Sequence, residues 1–338
     1  MTLLVLVEHI DGVPTGASLE TLSLVRDVAS AEGRALEVAA LGPGAADVAA
    51  RLGPWWVSTV WVADASELEP YAPAGWGRAL AGLIRSAGAR LVAGPGTGRS
   101  LEMLAAAAAH LDAPLAAGCI AIAAAPAGAP DGGAAYAVTR LRWGGSVLED
   151  AILTGDPVLI SVPEHVIPLP DPLPDGVPVP ALRRVALPDL GVTPDDLRCR
   201  LVHHEPARPG SIALADARVV VGGGRGVGGA EAFAQLEELA SLLGGAIGVS
   251  RVVTSAGWRP HAEQVGQTGT RIAPDLYIAC GISGAIQHIV GCRSAKAILA
   301  INTDPDAPIM SRATHAVIGD LHAVVPAIIA ELRRAPGN

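Results

Sequence analysis

Between Gln264 and Asn302 the chain sets amide, hydroxyl and imidazole side chains into glycine-punctuated turns between short apolar runs. Gln264-Val-Gly-Gln-Thr-Gly269 is the first turn, and Gly281-Ile-Ser-Gly-Ala-Ile-Gln-His288 follows the apolar run Leu276–Ala279. Glycine lets backbone approach a bulky partner closely, and the polar side chains supply directional hydrogen bonds. That mixture suits the binding of a large polar cofactor. It does not suit acid–base or nucleophilic catalysis, for which the chain carries no G-x-S-x-G, HExxH or Walker sequence.

Each candidate residue also has a plainer reading. Gly224-Arg-Gly-Val-Gly-Gly229 matches G-x-G-x-x-G, a pattern whose backbone N–H groups attract phosphate, yet in a chain with 40 glycines it is equally a tight turn. An NAD site would place a carboxylate at the end of the next strand, where Ser250 and Arg251 stand instead. Arg251 is either a solvated strand end or an anion ligand, and its charge would favour the more negative form of a cofactor beside it. Gln264, Gln267 and Thr268 form a polar surface turn or a set of hydrogen-bonding groups along a cofactor rim. Ser283, Gln287 and His288 surround a helix start, where the imidazole is either packed or a donor to a ring that becomes anionic. Asn302, Asp304 and Asp320 follow strands and act as caps or as ribose and adenine contacts. His203-His204-Glu205 does not read as a metal site, because adjacent histidines point to different sides.

Two series of short strands and helices must position these residues. The first runs through Leu3–Val7, a helix capped by Ser18 and closed by Gly33, then Leu36–Ala40, Thr59–Val62, Leu91–Ala93, a helix opening near Ser100, and Val158–Val162. Pro163–Pro188 is proline-rich and reads as irregular. The second series has strands at Arg218–Val221, Ala246–Val249, Leu276–Ala279, Ala297–Ile301 and His315–Ile318, and ends in a helix over Leu321–Arg334. Alternation of strand and helix predicts right-handed crossovers, parallel sheets, and ligands at the carboxyl ends of the strands.

Composition agrees with an α/β protein. The 338 residues suggest two domains, and 50% hydrophobic with only 3% aromatic residues means cores of Ala, Val, Leu and Ile. A net charge of −9 without any Lys/Arg block argues against nucleic acid and anionic membrane surfaces. Mean hydropathy is +0.41, but the Ala-rich stretch Leu101–Pro130 is broken by Glu102, His110, Asp112, Pro114 and Pro126, so no transmembrane span is expected. Met1–Val7 reads as a buried strand rather than a signal peptide. Cys119, Cys199, Cys280 and Cys292 have no CxxC or zinc spacing and read as free, buried thiols in a reducing cytosol.

The block Leu276–Asn302 resembles the characteristic sequence of the electron transfer flavoprotein alpha subunit, closely from Leu214 to Leu332 and loosely before that. The resemblance implies an α/β fold of two domains. These are an N-terminal adenine-nucleotide-hydrolase-like α/β domain over 1–190 that packs on a beta subunit, a connector over 191–211, and a C-terminal Rossmann-like parallel-sheet FAD-binding domain over 212–338. It implies FAD held by Arg225, Ser250, Arg251, Gln264, Gln267, Thr268, Gly281, Ser283, Gln287, His288, Asn302, Asp320 and Leu321. Within that set, Arg251 would lie near the isoalloxazine, Thr268 near N5 and His288 near O2. The family role is that of a cytoplasmic electron carrier rather than an enzyme. It works as a heterodimer with a beta subunit, taking electrons from flavin dehydrogenases, such as the acyl-CoA dehydrogenases of fatty acid β-oxidation, toward a quinone oxidoreductase. Such a carrier needs its FAD domain to swing on the connector. An NAD(P)-dependent oxidoreductase or a nucleotide-binding scaffold would use the same phosphate turn. One departure stands out: Thr254-Ser255-Ala-Gly-Trp258 occupies the place where the family commonly has Val-Asp before a glycine and an aromatic residue.

Overall fold

The structure, a computed structural model, describes residues 2–125, 134–145, 147–169, 178–203 and 212–334. It divides into two compact units, the first ending at His204 and the second beginning at Glu205.

In the first unit the elements are β1 (Thr2–Leu6), α1 (Gly16–Glu32), β2 (Leu36–Leu41), β3 (Val57–Ala63), α2 (Pro73–Ala87), β4 (Ala89–Pro95), α3 (Gly98–Leu111), β5 (Leu115–Ala116), β6 (Cys119–Ala124), β7 (Ala134–Arg142), β8 (Val147–Gly155), β9 (Val158–Val162) and β10 (Ala181–Arg184). A parallel sheet runs in the order β10-β3-β2-β1-β4-β9-β5. Its central strands are apolar on both faces, as helices on each side require: Leu3, Val5, Val38 and Leu91 enter one core, and Leu4, Leu6, Val92 and Leu159 the other.

Four local expectations give way here. Thr15, not Ser18, caps α1: its extended backbone (φ −73, ψ 156) lets its hydroxyl accept the Ser18 N–H, while the Ser18 hydroxyl accepts the Glu8 N–H at 2.8 Å. The region after α3 holds an antiparallel sheet, β8-β7-β6, that sequence reading did not separate from the Ala-rich stretch. The proline-rich segment contains β10, which pairs with β3 at the sheet edge, where prolines on either side interrupt no ladder. Residues 191–203, expected in the connector, pack on the first unit. Thr193 and Asp196 form a capping box, Leu197 lies against Gly75 of α2, and the Leu201 N–H donates to the Tyr71 carbonyl at 2.7 Å. The rest of the connector, 204–211, and with it the expected swing point, lies outside the described residues.

The second unit contains β11 (Val219–Gly223), α4 (Phe233–Leu242), β12 (Ala246–Val249), α5 (Arg251–Ser255), β13 (Leu276–Cys280), α6 (Ile286–Cys292), β14 (Ala297–Asn302), β15 (His315–Ile318) and α7 (Leu321–Arg334). The strands are parallel in the order β12-β11-β13-β14-β15. One core joins Phe233, Leu236 and Leu239 of α4 to Val221, Ile278 and Ile301 of the sheet and Val325 and Ile329 of α7. Chain order reverses at β11, with β12 on one side and β13 on the other. In such sheets a crevice opens beyond the carboxyl ends of the strands at this reversal. The turns after β11, β12 and β13 all meet there. Among the described residues of the whole chain, no helix is long and apolar enough to cross a membrane. Cys119, Cys280 and Cys292 are buried and free, as expected, whereas Cys199 is exposed because its segment runs over the surface of the first unit.

Candidate cofactor site

The tips of β11 and β13 interlock through glycine. The Gly224 N–H donates to the Cys280 carbonyl at 2.9 Å and the Gly226 N–H to the Gly281 carbonyl at 3.1 Å. Gly281 has φ +61, and a side chain on it would meet the Gly226 Cα. The glycines of the G-x-G-x-x-G pattern thus bring two turns together rather than only admitting a phosphate, and Arg225 beside them is exposed.

The loop after α5 is pinned just as firmly. The Val265 N–H donates to the Val249 carbonyl at the end of β12, Thr270 N–H closes on the Gln264 carbonyl, and Gln267 N–H reaches the Gln287 carbonyl of α6 at 2.8 Å. Beyond β13, the turn 281–284 is held by Asn302, whose Nδ2 donates to the Ile282 carbonyl at 3.0 Å.

These turns enclose a cavity of about 610 Å³, within the range of small-molecule and cofactor pockets. It is lined by Arg225, Ser250, Arg251, Gln264, Gln267, Thr268, Gly281, Ser283, Gln287 and His288, all foreseen in the sequence, and by Val252, Ser255, Val265, Gly266, Ile282, Gly284 and Ala285. Asn302, Asp320 and Leu321 do not line it. Asn302 serves the turn just described, Asp320 Oδ1 accepts the His322 N–H at 2.9 Å at the start of α7, and Leu321 is buried in the core beneath Gly281. The plainer capping reading describes Asn302 and Asp320 in this structure.

The electrostatics are one-sided. No carboxylate lines the cavity, while Arg225 and Arg251 do, and neither makes an ion pair among the described residues. Ser255, an uncharged side chain, lines the same cavity. In a chain of net charge −9, this is a local positive field.

Gln264 is buried, with its amide committed inside the protein. The Thr254 hydroxyl lies 2.6 Å from Gln264 Oε1, and Gln264 Nε2 lies 3.0 Å from Thr268 Oγ1. The shorter contact fits O–H···O and the longer fits N–H···O, which assigns the amide orientation. Gln264 therefore braces Thr268 while lining the cavity, and the Thr268 hydroxyl keeps its own proton to donate. Gln267 and Gln287 are exposed and line the same cavity.

His288 is 7% exposed, and burial pushes its pKa down to about 4, against a smaller upward pull from the Val265 backbone. The ring is neutral at pH 7. Its Nε2 lies 2.8 Å from the hydroxyl of Tyr277 on β13, while its buried Nδ1 completes no hydrogen bond. Tyr277 was missed in the sequence because it sits in an apolar run and reads as core, which it also is.

The comparisons with known proteins follow the same division of the chain. Residues 213–293 match the family model for the electron transfer flavoprotein FAD-binding domain, and residues 3–188 match that for the electron transfer flavoprotein domain. The chain belongs to the electron transfer flavoprotein family. FAD is the cofactor of the matched C-terminal domain, and the cavity lies within and just around that domain's strands. Curated relatives include the electron transfer flavoprotein subunit alpha of Thermoanaerobacterium thermosaccharolyticum, 43% identical over 146 residues that make up 43% of this chain and 44% of that one. The subunit alpha of Clostridium acetobutylicum is 53% identical over 122 residues, 36% of each chain. That of Syntrophomonas wolfei is 38% identical over 196 residues, 58% of this chain and 60% of the relative. The chain thus spans about half the length, or less, of most of these relatives.

The residues fit the group the family implies. A buried imidazole nitrogen that completes no hydrogen bond, arginines without an ion pair among the described residues, and glycine-packed turns that converge on one cavity are what a flavin nucleotide with an anionic diphosphate requires.

Proposed function

We propose that this chain is the FAD-carrying alpha subunit of a heterodimeric electron transfer flavoprotein. It pairs with a beta subunit, works in the cytoplasm, and relays electrons from flavin dehydrogenases, such as acyl-CoA dehydrogenases, to a quinone oxidoreductase. It is a carrier rather than an enzyme: the cavity holds no nucleophile–base pair and no carboxylate acid. The observation that carries this reading is the cavity between β11, β12 and β13, with unpaired Arg225 and Arg251 and an orphaned His288 nitrogen, inside the FAD-binding match.

Bound FAD supplies the redox centre and gains negative charge as it is reduced. The protein's part is to bind it, orient it and balance that charge. Arg225 and Arg251 attract the anionic cofactor, and a fixed guanidinium favours the form with more negative charge. Thr268, braced by Gln264, offers a hydroxyl proton at a set position, and Gln267 and Gln287 add rim amides. Val252, Val265 and Ile282 give the apolar walls an aromatic ring needs. Asn302, Asp320 and Leu321 act behind the cavity by holding the turns that shape it.

The test is to purify the chain with its beta partner and analyse bound cofactor after acid release. One FAD per chain, lost with Arg225→Ala/Arg251→Ala, supports the reading. A preparation without flavin that also fails to take up added FAD overturns it.

A further inference from the structure

We propose that Tyr277 is a positioning residue that donates its hydroxyl proton to Nε2 of His288 and thereby places the imidazole's single N–H on Nδ1. The inference deepens the FAD-site reading and rests on it only for the use to which that N–H is put.

The geometry leaves one consistent arrangement of protons. Tyr277 is fully buried on β13, with its hydroxyl packed over Gly222 of β11. Among the described residues, that hydroxyl has one hydrogen-bond partner, His288 Nε2, at 2.8 Å. Were the imidazole the donor, the phenolic proton would be buried without an acceptor, which costs about 1–3 kcal/mol. With the phenol as donor, its proton and Nε2 are both satisfied. Desolvation keeps the phenol protonated and the imidazole neutral, so the pair holds one O–H and one N–H at neutral pH. The neighbouring thiols of Cys280 and Cys292 are likewise held protonated by burial, so no charged group competes for the ring.

In a neutral histidine, the hydrogen bond made by one nitrogen decides which nitrogen bears the proton. Nε2 accepts here, so Nδ1 is the donor. Nδ1 is buried and completes no hydrogen bond among the described residues, the nearby Val265 backbone exerting only a smaller pull on the ring, and it belongs to a residue that lines the cavity. It is a pre-aimed donor for an acceptor atom that gains electron density, and it delivers no net charge of its own. Loss of the Tyr277 hydroxyl would free the ring to carry its proton on either nitrogen.

The test is long-range proton–nitrogen NMR of the full-length chain carrying 15N-histidine, at pH 7.5 and without FAD. His288→Gln identifies the signals of residue 288. The expected result is a protonated Nδ1 and an unprotonated Nε2, and in Tyr277→Phe, nitrogen shifts that move toward an average of both tautomers while the circular dichroism spectrum stays the same. A proton on Nε2 of the unsubstituted chain overturns the proposal, and so does a tautomer unchanged in Tyr277→Phe. If Tyr277→Phe does not fold, the measurement on the unsubstituted chain decides alone. FAD titration of the same samples, expected to weaken roughly 5- to 10-fold in Tyr277→Phe, separates the two readings. A chain with the proposed tautomer that binds no flavin loses only the cofactor assignment, and a chain that binds flavin with its proton on Nε2 loses only the positioning pair.

Discussion

Arg251 and Gln264 show how differently two residues from neighbouring motifs contribute. Arg251 reaches the cavity from the first turn of α5 and meets no counter-charge among the described residues. At the effective dielectric of a protein surface, its removal from beside a ring that gains an electron should disfavour reduction by about 1–2 kcal/mol, or roughly 40–90 mV for a one-electron step. Arg251→Ala should therefore lower the flavin potential by that amount in a potentiometric titration, and an unmoved potential would place the guanidinium away from the ring. Gln264 acts through Thr268. Gln264→Met keeps the volume but removes the amide that braces the Thr268 hydroxyl, while Thr254 keeps the Arg251 carbonyl as a partner, so FAD affinity measured by calorimetry should fall about 10-fold. The polar turn around Gln264 was legible from residue types, yet its inward orientation was not. Sequence shows that an amide is present, and only the positions of Thr254 and Thr268 show that the amide is already used. Tyr277 escaped notice for the complementary reason, since an aromatic residue in a strand of Leu, Ile and Ala reads as packing.

At the scale of the element, all but two strands of the two parallel sheets could be read because buried parallel strands are continuous apolar runs with glycine or polar turns after them. Val219–Gly223, Ala246–Val249 and Leu276–Cys280 are such runs, and the turns that follow them form the cavity. The antiparallel sheet β6–β8 was harder to read because Ala123, Ala124, Ala134 and Ala135 offer little contrast between its faces. Edge strand β10 was hidden by flanking prolines, and only pairing with β3 reveals it. The G-x-G-x-x-G turn was legible as a tight turn, but its partner was not: Gly224 and Gly226 press on Gly281, far away in sequence. This contact carries a prediction. Gly281→Ala combines a positive φ with a Cβ against the Gly226 backbone, so it should destabilise the second unit by about 2–4 kcal/mol in urea unfolding. Gly229→Ala, where open space surrounds the position, should stay within about 1 kcal/mol.

For the whole molecule, the two units carry buried groups that titrate in opposite senses. In the second unit, the pKa of His288 falls from 6.5 to about 4 on folding. Its neutral ring stabilises the fold above pH 6.5, and that contribution is lost as pH falls toward 4. In the first unit, Glu20 is buried beneath the 165–167 backbone, whose N–H groups only partly offset the desolvation that raises its pKa from 4.5 to about 7. Its contribution is full below pH 4.5 and is lost as pH rises through 7. Burial raises Glu8 in the same direction. Calorimetry should therefore show the unfolding of the second unit moving down in temperature between pH 6.5 and 4.5 while the first moves up. His288→Asn should flatten the first trend and Glu20→Gln the second. Domain count and fold class were legible from length and strand–helix alternation, but these opposed titrations arise from burial, which composition does not show.

The central claim is that the cavity between β11, β12 and β13 binds a flavin. The most direct measurement is the visible absorption spectrum of the chain co-purified with the proposed beta partner, recorded through stepwise reduction in the unsubstituted protein and in Arg251→Ala. The account predicts flavin bands near one FAD per chain that bleach on reduction, with the substituted protein bleaching at a lower potential. A colourless complex that takes up no added FAD would contradict it, whereas bleaching at the same potential in both proteins would remove only the role given to Arg251.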